Sequence, residues 1–335
     1  MKVLLITPNF HQPRGNTVTV QRIANGLQKL GVRTEIISNM DDNVITELPQ
    51  ADIVHGFHAY RFYQFKEKLK QPLHHYVVTM TGTDLNHDLF NKDRRKDVLD
   101  CLRNAKAIHV FDHEAKGILA KEASELYSKI HIIHQGTPPF MENQPAIQKD
   151  KNTFLFVLPA GIRKVKNVPS AIHMLKSLHD NYPYIRLWLV GPVIEQEEGK
   201  VVQELVGKNS DWVTYIGQVD HDKMGGIYHE ADAVLNTSIS EGQSAAILEA
   251  MSYGIPVIAS DNHGNKNIVT QGKTGFVYEN KIQFLDYAEQ IMNNIELRQQ
   301  IGETAKNYIA ENHSSSYEAN KLQTIYENAL QENIE

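Results

Sequence analysis

Cysteine is all but missing: Cys101 is the single one in 335 residues. One thiol excludes a disulfide framework within the chain and a zinc site built from cysteines. Long apolar runs are missing too. MKVLLITPNF has four apolar residues in a row before Thr7 and Pro8, too short for a signal-peptide core. No stretch approaches the ~20 residues of a membrane span, so a cytoplasmic protein is expected. Positive charge is in deficit, 34 Lys/Arg against 40 Asp/Glu, for a net charge of −6. Residues 1–150 carry 19 against 17, while residues 151–335 carry 15 against 23, so the second half holds the deficit. An acidic half with no basic stripe is a poor match for nucleic acid, where phosphate contacts supply most of the affinity. An anion bound there would need a few local cations and backbone N–H groups.

What is present is a globular composition, 41% hydrophobic and 22% charged, at a length suited to two domains of about 150 residues each. Short apolar runs alternate with amphipathic helical segments. KVLLIT reads as a buried parallel strand, and Val20, Ile23, Leu27 and Leu30 then line one helical face that Gly31 stops. TEIIS, ADIVHGF, HYVVTM, AIHVF and KIHII follow as strands. The proline-bearing, polar segment 137–151 reads as an interdomain linker. The rhythm then restarts with FLFVLPAGI, RLWLVG, WVTYIG, ADAVLNTS, IPVIAS and TGFVY, and from Lys281 onward the chain is helical, with Ser314 or Ser315 capping the last helix. Two βαβ series predict an α/β protein of two doubly wound, Rossmann-like domains, covering residues 1–148 and 149–312, with a terminal helix over 313–335 and a ligand cleft between the domains.

The richest stretch is SISEGQSAAILEAMSYGIPVIAS, Ser238 to Ser260. A strand leads to a turn with Glu241 and Gly242, then to a helix beginning near Gln243 whose first turn holds small residues. Backbone N–H groups near Ser244, Ala245 and Ala246 form an anion site at the positive helix end. Two carboxylates, Glu241 and Glu249, flank it. A ligand carrying both phosphate and hydroxyls reconciles these features, one acid taking a ribose diol and the other meeting a sugar. The bland alternative has Glu241 stabilising the helix N-terminus and Glu249 facing solvent. GIRKVKN, directly after the first strand of the second domain, gathers Arg163, Lys164 and Lys166 behind Gly161. In doubly wound folds that strand end is where ligands sit.

Other segments carry weaker signals. NFHQPRGNTVTV places Gly15 and Asn16 ahead of a helix, TMTGTDLN ends a strand with Thr81, Gly82, Thr83 and Asp84, and the backbone near Gln218 and Val219 in YIGQVD lies beside the expected cleft, as does Gly191. Asp84 has a helix-capping alternative, and Gly136 reads as a structural turn. His55 with His58, and His74 with His75, come without a metal-ligand pattern, so the sixteen histidines read as scattered core and surface residues. Cys101 reads as a small buried hydrophobe. The mixed-sign run from Lys92 to Asp97 reads as a solvated helix face, with a weak membrane-surface role left open.

The segment with Glu241 and Glu249 resembles the E-x7-E signature of retaining GT-B glycosyltransferases, specifically glycosyltransferase family 4. EGQSAAILEAM looks most like the glycosyltransferase 1 domain-containing protein subgroup, and MTGTDLNHDL and GIRKVKN resemble the nearby selenosugar synthases. The resemblance implies transfer of a sugar from a nucleotide donor, a UDP-sugar favoured, with retention and no metal or other cofactor. It implies Arg163 and a lysine on the diphosphate. Lys166 fits because it precedes Asn167 where the family usually has Lys-Gly, and Lys164 stays open. It implies Glu249 on ribose, Glu241 at the sugar, Gly242, Gln243 and the 244–246 amides on the donor, and Gly15 and Asn16 against it. The 81–84 segment would meet acceptor or sugar, although many relatives have a histidine where this chain has Thr81. The acceptor is a small molecule, glycan, protein or lipid that the sequence does not name. The last helix would pack back on the N-terminal domain. Two alternatives share these features: a nucleotide-sugar epimerase and a non-catalytic nucleotide-sugar binding protein. A dehydrogenase fits less well, since neither domain has GxGxxG after its first strand.

Overall fold

The computed structural model describes residues 1–11, 15–40, 45–137 and 147–331. The chain divides into two compact units, Met1–Pro138 with His313–Glu335, and Pro139–Asn312. Of the segment read as a linker, residues 138–146 lie outside the described residues, but Thr137 is tied into the first unit, its N–H donating to the His313 carbonyl over 2.8 Å.

In the first unit six parallel strands run in the order β2 (Arg33–Ser38), β1 (Lys2–Thr7), β3 (Ile53–Phe57), β4 (Tyr76–Thr79), β5 (Ala107–Val110) and β6 (Ile130–Ile132). These are the apolar runs read from the sequence. Burial of β1, β3, β4 and β5 on both faces explains why these runs are nearly unbroken in hydrophobicity, while the edge strands β2 and β6 are partly exposed. Helices α1 (Gly15–Lys29), α2 (Ala59–Lys66), α3 (Gly82–Asn86), α4 (Arg95–Asn104) and α5 (His113–Glu122) connect them. Val20, Ile23 and Leu27 of α1 are buried, and Gly31, at φ 80°, ends that segment in the left-handed region. Cys101 is buried in α4, and burial pushes its thiol up.

The second unit's sheet has the order β12 (Phe276–Tyr278), β11 (Val257–Ser260), β10 (Ala233–Asn236), β7 (Phe154–Pro159), β8 (Ile185–Val190) and β9 (Val213–Gly217), again all parallel. Its helices are α6 (Val168–His179), α7 (Gln196–Lys208), α8 (Met224–Glu230), α9 (Ala245–Ser252), α10 (His263–Lys266), α11 (Lys281–Asn293) and α12 (Ile295–Asn312). The chain winds from β7 outward to β8 and β9, then returns to β10 on the other side. That reversal opens a crevice at the carboxyl ends of β7 and β10, where open α/β sheets bind ligands.

The last helix, α13 (Ser315–Gln331), belongs to the first unit. It packs against α1 so closely that a Cβ on Gly26 would lie 2.9 Å from the Ala319 Cβ. Arg22 and Glu318 form a bidentate ion pair there, two bonds of 2.8 Å, with both side chains buried. Tyr326 of α13 starts a buried hydrogen-bonded chain. Its hydroxyl is 2.6 Å from His55 Nδ1, His55 Nε2 is 2.7 Å from Thr79 Oγ1, Thr79 Oγ1 is 2.8 Å from His109 Nδ1, and His109 Nε2 is 2.9 Å from the Ile133 carbonyl. The carbonyl can only accept, so His109 Nε2 carries a proton, and with both rings held neutral by burial the other protons follow. His109 donates through Nε2 and accepts from Thr79, Thr79 accepts from His55, and His55 accepts from Tyr326. Both imidazoles are neutral in this arrangement. Burial holds His55 well below its ordinary range and His109 down to about 4.

Candidate active site

Around the β7–β10 crevice the loops that follow the two strands are stitched together by hydrogen bonds. The Ile239 N–H donates to the Val165 carbonyl over 2.8 Å, and Thr237 Oγ1 donates to the Lys166 carbonyl over 2.9 Å. The loop after β7 is also pinned from its other side, where the Ile162 N–H bonds the Pro192 carbonyl and the Lys164 N–H bonds Glu195. Gly191 sits at φ 146°, and a Cβ there would be 2.2 Å from the Ala160 carbonyl oxygen, so it serves this crossing rather than a ligand.

This scaffold brings Lys166 to Glu241, with Arg163 three positions earlier in the same loop. Lys166 and Glu241 form an ion pair through Oε1 of the carboxylate. The same oxygen accepts from Ser238 Oγ at 2.7 Å and Asn236 Nδ2 at 3.3 Å. Oε2 has no partner among the described residues. Burial would raise the Glu241 carboxyl, but the Lys166 ammonium and the Ser238 and Asn236 donors outweigh it and hold the group below the usual carboxylate range. Arg163 makes no side-chain hydrogen bond or ion pair among the described residues, and its Nε is buried without a partner. A buried donor left open is costly.

The helix after Glu241 is α9, which begins at Ala245 and not at Gln243. Its N-cap Ser244 makes no side-chain cap, and its hydroxyl accepts from Asn236 Nδ2 at 3.1 Å. The first-turn N–H groups, those of Ala245 and Ala246 among them, therefore have no side-chain cap, at the helix end that favours anions. Gly264 supports the turn from behind. A Cβ there would lie 2.4 Å from the Gly242 carbonyl oxygen.

Glu249 is buried on the inner face of α9, which removes the solvent-facing alternative. The Tyr228 hydroxyl donates to Oε2 over 2.8 Å, and His221 Nε2 lies 2.9 Å from Oε1. Gln218 and Val219, exposed and half-buried, follow β9 just before His221. Lys164 is exposed.

In the first unit, Gly15 opens α1, with Asn16 half-buried beside it, while 12–14 of that loop lie outside the described residues. Thr81, Gly82 and Thr83 lie at the end of β4, with Thr83 exposed. Asp84 corrects the expectation that it faces a ligand. It is fully buried, and its carboxylate accepts from the Ala59 N–H and from the Thr81 N–H and hydroxyl, each at 2.7 Å. It caps α3 and ties that helix to α2, as the turn-and-cap alternative has it. The charged run from Lys92 to Asp97 is partly paired, Arg94 with Asp88 and Arg95 with Glu122. Among the described residues no three His, Cys, Asp or Glu side chains gather as metal ligands, and no helix is long and apolar enough to cross a membrane.

Sequence reasoning missed His221, Tyr228, Asn236, Ser238 and Asn265. His221 is one of the scattered histidines in sequence, although its place just beyond the Gln218–Val219 loop is a usable signal. Asn236 and Asn265 had none, because an Asn–Asn hydrogen bond between distant segments, 3.2 Å here, leaves no local pattern.

Residues 139–308, half of the chain, match the family described as Glycosyl transferases group 1. The chain is 31% identical over 254 residues to Glycosyltransferase 1 domain-containing protein 1 of Xenopus tropicalis, covering 73% of each. It belongs to this glycosyltransferase family. Among solved structures, sucrose-phosphate synthase from Thermosynechococcus elongatus superposes with a TM-score of 0.81 at 15% identity, over 99% of this chain and 100% of that one. HepE from Anabaena, solved with UDP and glucose, gives 0.76 at 14% identity, over 98% and 100%. These likenesses identify the fold of the glycosyltransferase as the GT-B class, with two Rossmann-like α/β domains.

Proposed function

We propose that this glycosyltransferase moves a sugar from a nucleoside diphosphate sugar, a UDP-sugar favoured, to an acceptor hydroxyl with retention at the anomeric carbon and without a metal, as a member of glycosyltransferase family 4. The observation that carries the reading is the Arg163 side chain, without a partner among the described residues, three positions before the Lys166 that pairs with Glu241 at the β7–β10 crevice. Arg163 forks across two phosphate oxygens and Lys166 adds a point charge, together neutralising the leaving diphosphate. The uncapped amides of 244–246 take a phosphate or sugar oxygen, Glu241 meets the sugar through Oε2, and Glu249 receives the ribose diol. Gly161, Gly242, Gln243, Gln218 and Val219 complete the donor site, with Gln218 and Val219 beside the base. Gly15 and Asn16 serve the donor, and Thr81, Gly82 and Thr83 the sugar or acceptor. In the transfer step the acceptor oxygen bonds to the anomeric carbon on the face the diphosphate leaves. The C–O bond breaks with its electron pair on the phosphate oxygen, which takes the acceptor's proton. UDP complexes of HepE, of the same fold, support a uridine donor.

Calorimetric titration with UDP, GDP and their sugar forms tests the donor. UDP binding that weakens at least about tenfold in Arg163→Ala is expected, from loss of a charge-assisted, bidentate contact. Absence of binding by every nucleotide overturns the reading. Incubation with a UDP-sugar alone separates the epimerase, which returns an isomer, from a transferase, which releases UDP.

A further inference from the structure

We infer that His221 is a positioning residue that, with Tyr228, sets the Glu249 carboxylate as a receptor for a vicinal diol and so makes the site select a ribonucleotide over its 2′-deoxy counterpart. The inference rests on the donor reading above. Glu249 sits in the middle of α9, mostly buried. Its carboxylate has two side-chain partners, one on each oxygen: Tyr228 on Oε2 at 2.8 Å and His221 on Oε1 at 2.9 Å. A carboxylate oxygen offers two lone pairs, so each keeps one. Two acceptor sites side by side match the two adjacent hydroxyls of a ribose.

The two partners differ in kind. Tyr228 is 1% exposed and locked in the core, so its hydroxyl fixes one oxygen. That bond alone leaves the carboxylate free to swing about its terminal torsion, which has broad preferences. His221 removes that freedom. Its side chain is 37% exposed, on a short 3-10 turn (His221–Lys223) that follows the Gln218–Val219 loop. No other Lys, Arg or His lies within ion-pairing distance of Glu249 among the described residues. His221 therefore links the loop proposed for the base to the acid proposed for the ribose.

The test measures the dissociation constants of UDP and 2′-deoxy-UDP, with GDP and 2′-deoxy-GDP alongside, for the full chain and for His221→Ala and His221→Gln. For the wild type the preferred ribonucleotide is expected to bind about tenfold or more tighter than its deoxy form, the usual size of a hydrogen bond to a charged group. His221→Ala should lose about five- to tenfold on the ribonucleotide and little on the deoxy form, so the ratio falls toward one. His221→Gln, whose amide can donate in place of Nε2, should restore most of the ratio. A merely structural role would weaken both ligands together. Wild-type discrimination that survives His221→Ala overturns the role of His221 and leaves the donor site standing. Wild-type binding without discrimination overturns the diol receptor. No nucleotide binding at all overturns both this inference and the donor reading.

Discussion

Lys164 and Lys166 stand two positions apart, and the fold gives them different work. They occupy one 3-10 turn, whose three residues per turn point such neighbours in different directions. Lys166 reaches Glu241, while Lys164 is exposed and holds its loop through a backbone N–H to Glu195. Lys166→Ala is expected to lower kcat/KM by about 10²–10³, the range for losing one electrostatic stabiliser. Lys164→Ala should stay within about threefold, as for a surface change of ±0.5 kcal/mol. Steady-state UDP release from both variants decides it, and equal losses would remove the distinction. Much of this site was legible, because Glu241, Gly242 and Glu249 keep a fixed spacing across one turn and helix. The ranking of the lysines was not, since nothing in GIRKVKN announces a 3-10 turn. Asp84 was opaque for another reason: a cap and a ligand-facing acid have the same sequence, and only the three donors around its carboxylate tell them apart.

At the scale of elements, strands were read well and short helices poorly. Runs such as LLIT and VLN are apolar because both sheet faces are covered, and that signal survives without any partner. The five residues of α3 and the four of α10 are too few for a helical period to show. The α13 helix falls between these cases. Its apolar face with Leu322, Ile325 and Ala329 is regular, but Glu318 on the same buried side breaks the pattern, and so does Arg22 in α1. Each charge is explained only by the other, 296 positions away. Glu318→Ala leaves Arg22 buried and unpaired, and a loss of about 3–5 kcal/mol is expected in urea unfolding. The double variant Arg22→Met with Glu318→Leu should recover most of that loss, because apolar groups of similar volume replace buried pairs well. A Glu318→Ala protein within about 1 kcal/mol of wild type would show that the pair does not fasten the helix.

Across the whole molecule, the titrating core of the first unit sets a direction for stability against pH. His55, His109, His131 and His313 all lie in that unit, and each is held below its ordinary range, chiefly by burial. In the Tyr326–His55–Thr79–His109 chain a second proton on either ring would have to turn a hydroxyl donor around, and burial opposes the added charge itself. His109 and His313 are both lowered to about 4. Between pH 6.5 and 4 the unfolded chain therefore holds protons that the native one refuses, and stability falls as pH falls. Each of these two histidines contributes on the order of 2 kcal/mol of loss by pH 5. Asp84 works the other way, since burial raises its carboxyl and the native state takes up its proton first, but it is one group against several. Urea unfolding at pH 7, 6 and 5 should give a free energy that drops with acidification. Ring resonances of His55 and His109 should stay in the neutral form at pH 5. Exchange protection should be lost in β3, β4 and β5, the strands the chain crosses. Unfolding free energies that stay level or rise over that range, or a His109 ring that charges near its ordinary value, would show that the proton order derived from the Ile133 carbonyl is wrong.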